Sequence, residues 1–401
     1  MTEPARPDAR PDWDPERIAA VYAAGLSAAA GPDTDFFAAG GHSLLAVLLA
    51  DRLRELLRVP VTGFDVMEHP TPRALLAELR GRTAAPHPAP GASGAPTSGA
   101  ATTGRGTVLV TGGTGAVGSF VVTELLARGH RVRALVRPES AAALAGTGAE
   151  PVDGDLAEPD GLRAAARGAD AVVHAACTFT RPDVDEAALR ALADGWEGGP
   201  FVFVSSVDAY GRPARPTVRE GQGAEGAVSD YGRGKERCES LLLDAADRRN
   251  ARDGVSLVRV PLVWGPHHRL GEQLRFGALR TFHQRALRGE PLLVPERDGW
   301  TGVPWVGAAA LARALADMLD RPAGGIVNAV AGHVGWAELA GELAVLMGGG
   351  SAVRTAPDLP PALHRPWRYR TDLFDARYGT GLREDWRPLL AATVAAGAGH
   401  G

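Results

Sequence analysis

Apolar positions along the chain follow two regimes. Over residues 15–80 they recur with helical spacing, which predicts helices near Glu16–Leu26, Leu44–Leu57 and Pro72–Arg80. From Thr107 onward, short β-rich apolar runs alternate with Ala- and Leu-rich stretches, the pattern of a parallel α/β sheet. The runs Thr107–Thr111, Val132–Val136, Ala171–His174, Phe201–Ser205 and Val255–Val263 are nearly continuous in apolar residues, as strands covered by helices on both faces should be. Beyond about residue 265 the pattern loosens and predicts a smaller, more irregular lobe. Residues 81–106, GRTAAPHPAPGASGAPTSGAATTGRG, offer almost no side chain to bury. They are expected to form a flexible linker, able to span about 85 Å if extended at ~3.3 Å per residue. The expected organisation is a small all-α helical bundle over 11–80, the linker over 81–106, and over 107–401 a doubly wound parallel α/β sheet with a small C-terminal substrate lobe.

Composition narrows the classes of partner. A chain of 401 residues, 45% hydrophobic, is long enough for two domains with real cores. A net charge of -4 gives no reason to expect nucleic acid or an anionic membrane as partner. Cys177 and Cys238 are far apart and lack metal-ligand spacing, so neither a disulfide framework nor a metal site is expected. The N-terminal stretch is charged and proline-rich, without an apolar signal core, and no run of about 18 apolar residues occurs, so a cytoplasmic location is expected. One count changes the picture. Lys235 is the only lysine among 43 lysines and arginines. Arginine solvates a surface as well as lysine does, but it cannot supply a compact, tunable ammonium. The surviving lysine is therefore a candidate for chemistry.

The string Asp35-Phe36-Phe37-Ala38-Ala39-Gly40-Gly41-His42-Ser43-Leu44-Leu45-Ala46 places a serine at the opening of an amphipathic helix, after a glycine turn. A phosphodiester on Ser43 would sit beside free backbone N–H groups at the positive end of the helix dipole. Leu44, Leu45, Val47, Leu48 and Leu49 supply the stripe behind it. This string resembles the attachment motif of peptidyl carrier domains from nonribosomal peptide synthetases, with His42 matching the peptidyl type. The resemblance implies a covalent 4'-phosphopantetheine on Ser43, installed by a phosphopantetheinyl transferase. With no adenylation domain present, it also implies a separate adenylation or acyl-loading enzyme.

Thr111-Gly112-Gly113-Thr114-Gly115-Ala116-Val117-Gly118 follows a predicted strand and precedes the amphipathic run Phe120–Ala127. Its G-x-x-G-x-x-G spacing is a variant of the Rossmann dinucleotide fingerprint: Gly112 for the tight turn, Gly115 for approach of a pyrophosphate, Gly118 for close packing of helix on strand. Thr114 and Val117 lie in the same loop. NAD binders carry an acid at the end of the second strand to bond the ribose 2'-OH. Here that strand ends in Arg137, with no carboxylate, and a guanidinium suits the 2'-phosphate of NADPH. Asp155 and Leu156, after Gly154, are further candidates to hold the cofactor.

Tyr231-Gly232-Arg233-Gly234-Lys235 puts a phenol and the lone lysine four positions apart, on one face of a helix. Upstream, Ser205-Ser206-Val207-Asp208 ends a buried strand, where ligand sites of α/β proteins form. Together with Arg259-Val260-Pro261-Leu262-Val263-Trp264-Gly265-Pro266, these motifs resemble the extended short-chain dehydrogenase/reductase family over nearly all of 107–395. The resemblance implies Ser206, Tyr231 and Lys235 as a catalytic triad, with Lys235 also binding the cofactor ribose. In such a triad Ser206 hydrogen-bonds a carbonyl oxygen, Tyr231 delivers a proton, and the ammonium of Lys235 lowers the phenol's pKa from near 10. His174 and Cys177 are expected to be packing residues, and His267-His268 candidates to line the cleft.

The implied activity is an NADPH-dependent oxidoreductase acting on an acyl or aminoacyl group tethered to its own carrier domain. Domain order favours reduction of the thioester with release of an aldehyde, as in terminal reductases of peptide synthetases. Those enzymes, however, carry a long insertion where this chain has only Pro138–Asp153. The alternative is reduction of a keto group on the carrier-bound chain, and a third class is a non-catalytic NADPH-binding sensor.

Overall fold

The computed structural model describes residues 14–26, 29–36, 39, 71–84, 105–223, 225–226, 229–275, 277–296 and 299–398, with isolated positions between 49 and 69. The chain divides into two compact units, residues 1–99 and 100–401. In the first, α1 (Pro15–Leu26) and α2 (Pro72–Ala84) are helices, the second running four residues past its expected end. Ile18 and Tyr22, one turn apart, pack with Leu49, Leu53 and Leu57 at the same helical spacing, and with Phe36, Leu75, Leu76 and Leu79. Ser43 and the residues flanking it lie outside the described residues, as do residues 85–104 of the expected linker.

The second unit is built on one seven-stranded sheet: β1 (Arg105–Thr111), β2 (His130–Val136), β3 (Glu150–Asp153), β4 (Ala171–His174), β5 (Phe201–Ser206), β6 (Val255–Val260) and β7 (Gly325–Asn328). Its order is β7-β6-β5-β4-β1-β2-β3, and every pairing is parallel. Alternate residues of each strand serve opposite layers. Val108, Val110, Val202, Val204, Val258 and Val260 pack against α3 (Gly118–Ala127) and a helix over Ala308–Asp320. Leu109, Val172, Phe201, Phe203 and Leu257 pack against α4 (Pro159–Ala166), α5 (Pro182–Gly195) and α6 (Asp230–Asp247). Because both faces must be apolar, the strands read as continuous runs. The strand order reverses between β1 and β4, and the ends of those two strands meet at the pairing of Thr111 with His174. A ligand crevice forms at such a switch point.

The structure corrects three sequence expectations. The run Val255–Val263 is two strands, because Pro261 has no N–H for the ladder; Leu262–Trp264 joins a separate three-stranded sheet with Gly302–Gly307 and Gly332–Gly335. β3 was not anticipated: an edge strand of sequence EPVD has no apolar run to betray it. Nor does the chain leave the sheet at residue 265. Leu311, Leu315 and Met318 of the Ala308–Asp320 helix return to the main core, and β7 closes one edge.

Candidate active site

The glycine loop joins β1 to α3. A Cβ on Gly118 would lie 2.1 Å from the Gly112 carbonyl oxygen, so the first turn of α3 can sit on the loop only without a side chain there. The Ser119 hydroxyl beside the loop is buried without a partner among the described residues. These features fit a dinucleotide pyrophosphate held by Gly112, Thr114, Gly115, Val117 and Gly118. We expect Gly118→Ala to lower stability by about 1–3 kcal/mol and to weaken dinucleotide binding, read by chemical denaturation and by fluorescence titration with the cofactor.

Arg137 follows directly on β2, exposed, with its Nε 3.2 Å from Glu139 Oε1. A 2'-phosphate would have to take over from that carboxylate. Asp155 accepts from its own Ala157 N–H through Oδ1 at 2.8 Å, leaving Oδ2 without a bond to another described residue. Leu156 beside it is half-buried against the core that includes Leu135 and Leu162.

The catalytic candidates converge at the ends of β4 and β5. Helix α6 opens at Ser229, whose hydroxyl accepts from Gly232 N–H at 3.0 Å and caps it. Glycine inside a helix costs about 1 kcal/mol, so Gly232 calls for a reason. A Cβ there would stand 2.4 Å from the Asp208 carbonyl oxygen. The missing side chain lets α6 close on the short 3-10 turn Val207–Tyr210 that follows Ser206, which brings Tyr231 to the serine. Ser206 is buried, and its Oγ accepts from Asp208 N–H at 3.2 Å. Lys235, also buried, donates from Nζ to the Val204 carbonyl at 3.0 Å and lies 4.8 Å from the Phe203 ring centroid and 5.8 Å from that of Tyr231.

One electrostatic expectation is reversed. The Tyr231 phenol is pushed well above its ordinary pKa, chiefly by burial and then by Cys177 and Asp208; its hydrogen bond with Ser206 works the other way. The Lys235 ammonium, 5.8 Å from the Tyr231 ring centroid, gives one of its hydrogen bonds to the Val204 carbonyl. The phenol therefore stays protonated at neutral pH, the state a proton donor needs.

His174 is buried, its Nδ1 2.7 Å from Thr111 Oγ1 and its ring stacked 5.4 Å from Phe203. Burial, then Lys235, pushes its pKa down to about 3, so it is neutral. Cys177 is a free thiol pushed up by burial. His267 accepts from Arg269 N–H at the start of a five-residue helix, His268–Glu272, and stacks 4.5 Å from His268. Among the described residues no group of His, Cys, Asp and Glu is placed to hold a metal ion, and no helix is long and apolar enough to cross a membrane.

Sequence reasoning missed what lies beneath the triad. Glu239, one turn beyond Lys235 on α6, accepts from the Ser205 hydroxyl and from Arg259, whose Nε is 2.9 Å from its Oε1. The Arg259 guanidinium lies 3.9 Å from the Tyr210 ring centroid, and Tyr210 donates to Asn328 Oδ1 at 2.9 Å. A carboxylate four places after the lone lysine, on the helix face carrying Cys238 and Leu242, was the available signal.

Residues 108–330 match the model of the NAD dependent epimerase/dehydratase family, and residues 21–79 match that of the phosphopantetheine attachment site. A 2-alkyl-3-oxoalkanoate reductase from Stenotrophomonas maltophilia is 30% identical over 230 residues, 52% of this chain and 64% of that protein. A ceramide reductase from Caulobacter vibrioides is 31% identical over 175 residues, 41% of this chain and 49% of that one. The chain thus spans about half the length of the curated relatives it matches. A UDP-N-acetylglucosamine 4-epimerase structure from Methanobrevibacter ruminantium, 18% identical, superposes with a TM-score of 0.60 over 75% of this chain and all of that one, a likeness of fold. With the family model covering more than half of its length, this chain belongs to the NAD dependent epimerase/dehydratase family and carries a phosphopantetheine attachment domain ahead of it.

Proposed function

We propose that the protein reduces a carbonyl on an acyl chain carried as a thioester on Ser43, with NADPH as the electron donor, and that the carbonyl is a keto group of the chain. The observation that carries the reading is the convergence of Ser206, a protonated Tyr231 and Lys235 at the end of the sheet where the glycine loop opens, in one chain with a carrier domain. Bound at the loop, the nicotinamide would supply a hydride to the carbonyl carbon. Ser206 holds the oxygen by a hydrogen bond, Tyr231 passes its proton to that oxygen as negative charge gathers there, and Lys235 steadies the phenolate left behind. Support for NADPH over NADH is Arg137 directly after β2, where a carboxylate would repel the 2'-phosphate.

The keto reading is favoured over aldehyde release because a matching relative is named as a 3-oxoalkanoate reductase and because the segment Pro138–Asp153 is short. Carrier-then-reductase order supports thioester reduction as the second reading. A carrier domain in the same chain would keep a weakly bound acyl group at an effective concentration of order millimolar. The test is to load the full chain with a 3-oxoacyl-phosphopantetheine arm, add NADPH, and weigh the intact protein. A gain of two hydrogens on a retained chain is expected. Loss of the acyl group as an aldehyde would establish the second reading, and a carrier whose Ser43→Ala variant still acquires the arm would sink the attachment site. No NADPH oxidation with either 3-oxoacyl or simple acyl arms would leave the sensor class.

A further inference from the structure

Phe179 is a large apolar side chain left 65% exposed, and it adopts a φ of 60°, a backbone conformation that a bulky L-residue avoids. An exposed phenylalanine alone would need no explanation. One held in the left-handed region does, because such strain persists only where the surroundings impose it, and it gathers at functional sites.

The surroundings here are a braced turn rather than a loose loop. Thr178 N–H donates to Asp185 Oδ1 at 2.8 Å, and Arg181 N–H donates to Thr178 Oγ1 at 3.0 Å. Phe179 N–H turns back toward the Cys177 sulfur. Asp185 belongs to the first turn of α5, so the turn is anchored on a packed helix. What this turn achieves is placement: the Phe179 ring stacks on the ring of Tyr231, 5.4 Å between centroids at 22°. Beneath it, Phe179, Pro182, Asp185, Tyr231, Gly234, Lys235 and Cys238 enclose only about 10 Å³, room for one water. The ring nevertheless stands 65% exposed, so aromatic surface is open to solvent beside the residue that carries the catalytic phenol.

We propose that Phe179 is a specificity-determining residue, the exposed part of its ring receiving the apolar part of the acyl chain beyond the carbonyl that Tyr231 protonates. The inference rests on the carbonyl-reducing reading above and adds the class of chain: one with a hydrocarbon tail beyond the reacting group. Aromatic surface recognises hydrocarbon through contact area, so discrimination should grow with chain length. Cofactor recognition should be untouched, because the glycine loop and Arg137 lie on other segments.

Phe179→Gly isolates the ring. Glycine adopts a positive φ without strain, so the backbone of the turn should be preserved. The probes are free pantetheine thioesters of 3-oxobutanoate and 3-oxooctanoate, with the full chain. Calorimetric titration should show the octanoyl Kd, and the assay its KM, rising about tenfold in the variant. The butanoyl Kd and KM should stay within about twofold, with the NADPH Kd unchanged. Phe179→Leu should recover most of the octanoyl affinity. Equal losses for both chains, or a weakened NADPH Kd, would overturn the proposal, as would an unchanged octanoyl Kd. Absence of NADPH oxidation by the unaltered protein would instead count against the carbonyl-reducing reading, while the calorimetric arm still decides the ring's role.

Discussion

Tyr231→Phe is expected to cut turnover of a tethered 3-oxoacyl chain by about two to four orders of magnitude while leaving cofactor affinity within about twofold. The phenol hydroxyl is protonated at neutral pH and hydrogen-bonded to Ser206. Removing it deletes the proton delivered to the carbonyl oxygen but not the ring, so the stack with Phe179 and the packing of α6 survive. Ser206 can still hold the oxygen, which is why the loss stops short of the uncatalysed rate. Because burial raises the phenol's pKa, the acid form persists through neutrality and is depleted only on the alkaline side. The reductive rate of the unaltered protein should therefore fall at high pH, and that alkaline limb should vanish from the residual activity of Tyr231→Phe. Stopped-flow NADPH oxidation across pH, with a fluorescence titration of the cofactor, reads both. A variant that loses cofactor affinity instead would show that Tyr231 serves binding.

Most of the sheet was legible because burial on two faces forces a run of apolar residues, which β1, β2, β4, β5 and the first part of Val255–Val263 display. β3 and β7 were not, because EPVD lies at one edge and β7, at the other, is four residues beginning with glycine. The triad was legible for a different reason. Spacing of four on a helix and a strand-terminal serine are local geometric facts, and the lone lysine drew attention to them. Interactions that depend on tertiary placement escaped. Nothing local says that Lys235 would turn to the Val204 carbonyl, that the Thr178 turn would hold Phe179 over Tyr231, or that Arg259 and Glu239 would meet.

That last meeting carries the other large effect. Arg259→Met is expected to destabilise the second unit by about 3–5 kcal/mol, because it strands a buried Glu239 whose remaining partner is the neutral Ser205 hydroxyl. Glu239→Leu should cost a similar amount by stranding the guanidinium. The double variant should cost clearly less than the sum of the two, since an apolar pair of similar volume leaves no unpaired charge. Urea unfolding of the three variants measures this, and additive losses would show the pair to be uncoupled. Stability and rate should then part company. Glu239 lies one turn from Lys235 on α6, while its partners stand on β5, beside Ser206, and on β6. The ion pair and the Ser205 hydrogen bond together fix the register of the helix that carries Tyr231 against the strand that carries Ser206. A hydrophobic pair can restore cohesion, but contacts without direction do not restore register to the fraction of an ångström that proton transfer requires. The double variant should therefore recover its unfolding midpoint and still show reduced kcat with KM little changed, the signature of positioning rather than of folding.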